Sequence, residues 1–255
     1  VAFVGGSSKG LGKACALRLA AEGANVVVCG RTSATLEVAA AEIRQTADVQ
    51  VLPVQADLSK GEEARRAVEM SLKAFGRIDI LVANSGGSPP GTFFELSQGD
   101  WDAAYQSTLY YIIELYRSVI PQMKTRKWGR IINILSLTVK EPSETLLLSS
   151  VFRAGVASLA KAISKELIRD NITINNICPG AFKTDRAVSL MTVQALKSGK
   201  TVEEIERESA SSLPLGKFQS PNELGNAIAF FASEMSQGIT GTTLQIDGGA
   251  YRGLL

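Results

Sequence analysis

Apolar runs of strand length alternate with helix-length amphipathic segments from one end of the chain to the other. The runs are VAFV (1–4), NVVVCG (25–30), VQVLPV (49–54), IDILVA (78–83), RIINIL (130–135), ITINNI (172–177) and TTLQI (242–246). Several are continuous and rich in β-branched residues rather than alternating, the pattern of parallel strands covered on both faces. The segments between them behave differently. In LGKACALRLAAEG (11–23) apolar residues recur at helical spacing, and Gly23 supplies a stop. This alternation predicts one doubly wound α/β domain with seven parallel strands, helices on both faces and right-handed crossovers. No linker, repeat or low-complexity tract interrupts the 255 residues, a length that one α/β unit can reach. One stretch breaks the rhythm. Residues 187–211 are polar and helix-prone without a following strand, and are expected to form a lid-like insertion over one edge of the sheet.

Composition narrows the function classes. A net charge of +2 gives no basis for nucleic acid or an anionic membrane surface as partner. No apolar run approaches the roughly 18–20 residues of a membrane span. No signal-peptide pattern is visible, and the chain opens at Val1 already inside an apolar run, so a short leader is expected ahead of this numbering. Cys15, Cys29 and Cys178 form no close-spaced pair, which predicts buried thiols in a reducing, cytoplasmic setting rather than a disulfide framework or a metal site. The chain has no histidine. Acid–base chemistry therefore falls to Asp, Glu, Lys, Tyr, Cys or water.

The motif best suited to a ligand is GGSSKGLG (5–12), between the first strand and the first helix. Gly6, Gly10 and Gly12 allow a tight turn and let backbone N–H groups approach a pyrophosphate at the helix N-terminus. Ser8, Lys9 and Leu11 belong to the same loop and join the candidate contacts. Arg31 stands just past the second strand, where a site that grips a ribose 2′-hydroxyl carries a carboxylate. An Arg there suits a 2′-phosphate by charge and by its forked donors. Lys9 adds a second cation; the plainer alternative is two solvated surface charges. Asp57 and Leu58, in ADLS (56–59), follow the third strand, and Asp57 serves equally well as a turn or N-cap carboxylate. Asn84-Ser85-Gly86 follows the fourth strand, and Cys178-Pro179-Gly180, with Thr184 four residues on, follows the sixth. All lie after strand C-termini, where open α/β sheets bind ligands.

With ITGTTLQIDGGAY (239–251), RIINILS (130–136) and SSVFRAG (149–155), these motifs resemble the short-chain dehydrogenase/reductase family from end to end, and the 3-oxoacyl-[acyl carrier protein] reductases most. The resemblance implies a Rossmann-type domain. It implies adenine contact at Asp57, with Leu58 beside it. It also implies close backbone passage at Gly86, a sheet centre steadied by Asn84, and a turn at Pro179, Gly180 and Thr184 covering the nicotinamide. Together with Arg31 it implies NADP(H) in preference to NAD(H). It further implies a homo-oligomer, a tetramer of 222 symmetry, paired through apolar stripes on the helix from Trp101 (ELY at 114–116) and on VASLAKAI (156–163), and through the tail GGAYRGLL.

The family works through Asn, Ser, Tyr and Lys. Here the matching positions hold Thr108, Ser136, Ser149 and Arg153, and only the serine survives. A Ser hydroxyl is shorter and far less acidic than a phenol, and Arg cannot relay protons. Arg153 keeps the capacity to hold a ribose, a carboxylate or a phosphate. Lys140, Glu141 and Glu144 are candidate replacement donors, each also readable as a solvated loop charge. Tyr105, Tyr110, Tyr111 and Tyr116 read as packing aromatics. The resemblance implies a divergent oxidoreductase on a small carbonyl or alcohol substrate. A silent dinucleotide-binding sensor or scaffold, and a non-redox enzyme such as a lyase, are the alternatives.

Overall fold

The computed structural model describes residues 1–254. Seven strands form one sheet: β1 (Ala2–Val4), β2 (Val26–Gly30), β3 (Val51–Gln55), β4 (Ile80–Ala83), β5 (Gly129–Ile134), β6 (Ile172–Pro179) and β7 (Thr243–Ile246). Their order is β3-β2-β1-β4-β5-β6-β7, and every pairing is parallel. The order reverses between β1 and β4, which opens a crevice at their C-terminal ends.

The continuous apolar strands explain the two-sided burial. Ala2 and Val4 of β1 and Val26 and Val28 of β2 face one apolar cluster, while Phe3, Val27 and Cys29 face the other. The first cluster is completed by α1 (Gly10–Ala21), α2 (Ser33–Thr46) and α9 (Pro221–Ala232). The second is completed by α3 (Gly61–Phe75), α5 (Tyr111–Arg126) and α6 (Leu147–Leu167). Asn133 and Asn176, in the central strands, are hydrogen-bonded in series. Tyr116 Oη donates to Asn133 Oδ1 at 2.9 Å, Asn133 Nδ2 to Asn176 Oδ1 at 2.8 Å, and Asn176 Nδ2 to Thr243 Oγ1 at 3.0 Å. This ladder ties β5, β6 and β7 together at no cost in orphaned donors.

The helices differ in detail from the sequence reading. The helix from Trp101 is not uniform: α4 (Gln98–Ala104) passes through a π-helical turn, Tyr105–Tyr110, into α5. The stripes expected to pair subunits are partly spent inside this one. Leu115, Tyr116, Val156 and Ala160 are core residues, because the apolar side of each helix already faces the sheet. Of the tail, Leu255 lies outside the described residues. One helix, spanning Leu147–Asp170, is long and apolar enough by composition to cross a membrane. Its Leu148, Val156, Ala160 and Leu167 are nevertheless buried in this domain, the mark of a core helix.

Residues 187–211 form two helices, α7 (Asp185–Ser198) and α8 (Val202–Ser211), which pack on each other around Met191, Ala195 and Ile205. This small cluster is separate from both sides of the sheet.

Candidate functional site

A cleft of about 470 Å³ opens at the crevice beside β1, β2 and β4. Gly6, Ser8, Lys9, Arg31, Asp57, Leu58, Asn84 and Gly86 line it. The glycine loop has the expected construction. Gly6 and Gly10 take φ of 57° and 58°, and a Cβ on Gly12 would lie 2.3 Å from the Gly6 carbonyl oxygen. Gly10 and Gly12 thus build the turn from behind, and Leu11 packs into the apolar cluster under α1. Lys9, the N-cap of α1, makes no side-chain cap hydrogen bond. The first N–H groups of the helix are thereby left for an anion, the donor set a pyrophosphate requires. Asn84 Nδ2 donates to the Gly5 and Gly6 carbonyls at 3.1 and 3.4 Å, pinning the loop to β4. Gly86 has open space where a Cβ would stand.

The far end of the cleft is cationic. A neighbouring hollow of about 320 Å³ is lined by Arg31, Gln55, Asp57, Lys60, Glu63 and Arg66. Its acids are engaged. Glu63 accepts from the Asp57 N–H at 2.8 Å and pairs with Lys60, and Asp57 accepts from the Ser59 N–H and hydroxyl. Asp57 is therefore the turn carboxylate of the two local readings; the N-cap of α3 is Lys60. Among the described residues, Arg31 and Arg66 have no ion-pair partner. Arg66 was not foreseen: it sits mid-helix on α3, and only the packing of α3 beside β2 and β3 brings it to Arg31.

The four positions tied to chemistry lie after β5, on α6 and in the π-helical turn, outside the lining of this cleft. Ser136, half-buried after β5, accepts from the Thr138 N–H at 3.2 Å. Thr138 Oγ1 is 3.2 Å from Ser149 Oγ, so the hydroxyls of this corner are linked through a residue the motifs did not flag. Thr108 is buried within the π-helical turn, its hydroxyl 3.2 Å from Ser88 Oγ. Arg153 is only 8% exposed, and its Nη1 donates to the Ile134 carbonyl at 3.0 Å. Burial lowers its pKa, the Tyr111 and Cys178 side chains oppose this, and Arg186 adds to it.

Tyr111 is buried in the core. Its buried phenol is pushed up by desolvation and drawn down by a hydrogen bond with Ser85 and by the Arg153 charge. Ser85 Oγ in turn donates to the Ser107 carbonyl at 3.1 Å. Tyr105 stacks near Tyr110 and Phe152, and Tyr116 is held by Asn133. Glu141 and Glu144 are exposed, and Lys140 lies 5.3 Å from the ring centre of Tyr251. Burial pushes the Cys178 thiol up to about 11, with the Ser136 N–H pulling against it. Pro179 and Gly180 end β6 against the last strand, with the Gly180 N–H donating to the Ile246 carbonyl at 2.9 Å. Thr184 caps α7 by accepting from the Ala187 N–H, and its Cβ faces Gly10 at 3.7 Å from a Cβ position there. The turn after β6 thus closes over the glycine loop.

This arrangement has known relatives. A family model described as enoyl-(acyl carrier protein) reductase matches residues 6–251. The chain is 30% identical to the 3-oxoacyl-[acyl-carrier-protein] reductase FabG of Aquifex aeolicus, over 98% of this chain and 97% of that one. It is 29% identical to the FabG of Staphylococcus epidermidis, with 98% of each covered. Among solved structures, L-sorbose reductase from Gluconobacter frateurii, complexed with NADPH and L-sorbose, superposes with a TM-score of 0.96 at 30% identity, over 99% of this chain and 97% of that one. YwfH, an NADPH-dependent reductase involved in bacilysin biosynthesis, superposes with 0.93 at 30% identity, over 99% and 98%. With the sheet order, the glycine loop and a full-length family match in agreement, the chain belongs to the short-chain dehydrogenase/reductase family.

Proposed function

We propose that this chain is an NADP(H)-dependent oxidoreductase acting on a carbonyl or alcohol, in the manner of a 3-oxoacyl reductase but with a depleted proton relay. The carrying observation is the cleft that joins an uncapped helix N-terminus to a pair of unpartnered cations, Arg31 and Arg66. The loop from Gly6 to Gly12 would hold the pyrophosphate, Asp57 and Leu58 the adenine side, and Asn84, Gly86, Pro179, Gly180 and Thr184 the nicotinamide side. Arg31 with Lys9 would favour a 2′-phosphate. A bound nicotinamide supplies the hydride.

The chain's own residues supply orientation more than acidity. Ser136 presents a hydroxyl to a substrate carbonyl. Ser149, hydrogen-bonded to Thr138, is too weak an acid to protonate an alkoxide unaided, and Arg153 cannot exchange its proton. Positioned acid–base help is worth roughly 10²–10⁴-fold. Turnover of ordinary 3-oxoacyl substrates is therefore expected to be slow. The exposed apolar residues Tyr105, Val151 and Ile168 suit a homo-tetramer, and three buried free thiols suit a reducing, cytoplasmic compartment.

NADPH consumption against a panel of ketones, aldehydes and 3-oxoacyl thioesters tests the reading. Oxidation of NADPH by at least one carbonyl class is the expected result. NADPH binding without turnover of any carbonyl would overturn it in favour of a silent dinucleotide-binding protein. Substrate conversion with no change in the cofactor would favour a non-redox enzyme.

A further inference from the structure

Two arginines stand beside the cleft, one buried and one reaching to its Gly87 wall. Arg153 is more than nine-tenths buried, yet no carboxylate pairs with it among the described residues; its one hydrogen bond goes to a neutral carbonyl. A guanidinium taken out of water without a counter-charge is costly, by several kcal/mol as a rule. A second cation lies close by. Arg186, in the first turn of α7, is exposed and makes no ion pair among the described residues. It reaches across the mouth of the cleft to the opposite wall, where a Cβ on Gly87 would meet its Nη1 at 2.9 Å. Its charge acts on Arg153. Lys140 approaches the same corner from the loop after Ser136, and its charge acts on Cys178. Asp247, whose charge also acts on Cys178, is held by the Gly249 and Tyr251 N–H groups at 3.0 and 2.7 Å.

We propose that this corner is an anion subsite: the substrate carries a free carboxylate, gripped by Arg186 at the mouth, over the buried charge of Arg153. The inference rests on the reading of the chain as an oxidoreductase and narrows its substrate to oxo- or hydroxy-carboxylates. A forked guanidinium suits a planar carboxylate through two parallel N–H donors. Arg186 also stands on α7, so the same contact would draw the two-helix insertion toward Gly87. On this reading an oxo-carboxylate is preferred over a neutral acyl thioester whatever stands at the phenol position.

The test is a series of linear and cyclic oxo-carboxylates, each with its methyl ester, titrated by calorimetry into the full chain with and without NADP⁺. The expected result is that at least one acid binds about tenfold or more tighter than its ester. Arg186→Gln should abolish that preference, Arg186→Lys should restore part of it, and NADPH affinity should stay within about twofold throughout. Equal binding of every acid and ester, or no binding of any acid, overturns the subsite. So does an Arg186→Gln variant that loses NADPH as strongly as it loses the acid, since Arg186 would then serve the cofactor phosphates. Acid-selective binding with no NADPH oxidation would leave the subsite standing and overturn the oxidoreductase reading instead.

Discussion

Two arginines are buried at opposite ends of β5, and they are treated differently. Arg130, at the N-terminal end, is fully buried. It donates to the carbonyls of Ser233, Gly129 and Asn171 at 3.1, 3.0 and 2.9 Å and lies 4.5 Å from the ring centre of Trp128. Arg153, packed at the C-terminal end, donates among the described residues only to Ile134. The first side chain spends its Nε and Nη1 donors and its planar face on its own protein. The second is held ready, with donor capacity to spare. The contrast separates a bottom edge built for stability from a top edge built for a ligand, as expected of an open α/β sheet.

The largest expected effect breaks that symmetry directly. Arg130→Ala should cost about 3–5 kcal/mol in denaturant unfolding, since it empties a buried site and strands three carbonyls. Arg153→Met should change stability by less than about 1 kcal/mol, because the lost bond is offset by relief of an unpaired buried charge. Equal losses would mean that both arginines are structural. A second variant sharpens the catalytic side of the comparison. Ser149→Tyr, Arg153→Lys and Thr108→Asn together should raise NADPH-dependent reduction of a 3-oxoacyl thioester by roughly 10²-fold in steady-state assays. The gain stays short of a full enzyme because groups that act as a unit need their supporting shell. An unmodified chain that already turns over such substrates at about 1–10³ s⁻¹ would place the proton donor outside these positions. The smallest effect lies at the far end of the cleft. Arg31→Ala should lose roughly tenfold of NADPH affinity and leave NADH unchanged in fluorescence titrations.

The sheet was legible because its signal is local and repeated. Continuous Val and Ile runs, such as VVVC and RIINI, mean burial on both sides wherever they occur. The glycine loop was legible for the same reason: Gly6 and Gly10 need positive φ, and Gly12 needs to touch Gly6. What escaped notice depends on packing. Nothing in YQSTLY marks a π-helical turn, since its six residues suit an ordinary helix equally well. Nothing local tells which side of α5 Leu115 and Tyr116 would face. Arg66 and Arg186 are unremarkable surface cations in sequence, and each acquires its meaning from a neighbour contributed by a distant element. Thr138 is hidden for a simpler reason, being two residues past the serine that draws attention.

The π-helical turn at Tyr105–Tyr110 has a consequence for how this chain can change length. Such a turn accommodates one residue more than an α-helix would, and so absorbs the roughly 100° through which an extra residue would otherwise rotate the flanking helix. Deleting a residue there would return the turn to α-helical geometry and leave α4 and α5 facing as they do. Trp101 would keep Phe152, while the Ser107 carbonyl, inside the turn, would leave Ser85. Lengthening the loop before Ser97 would spare both contacts, because the capping box at the start of α4 re-forms wherever the helix begins. A one-residue deletion within this turn thus costs a contact to Ser85 rather than the seating of either helix, and relatives one residue shorter here should keep the same packing on both sides.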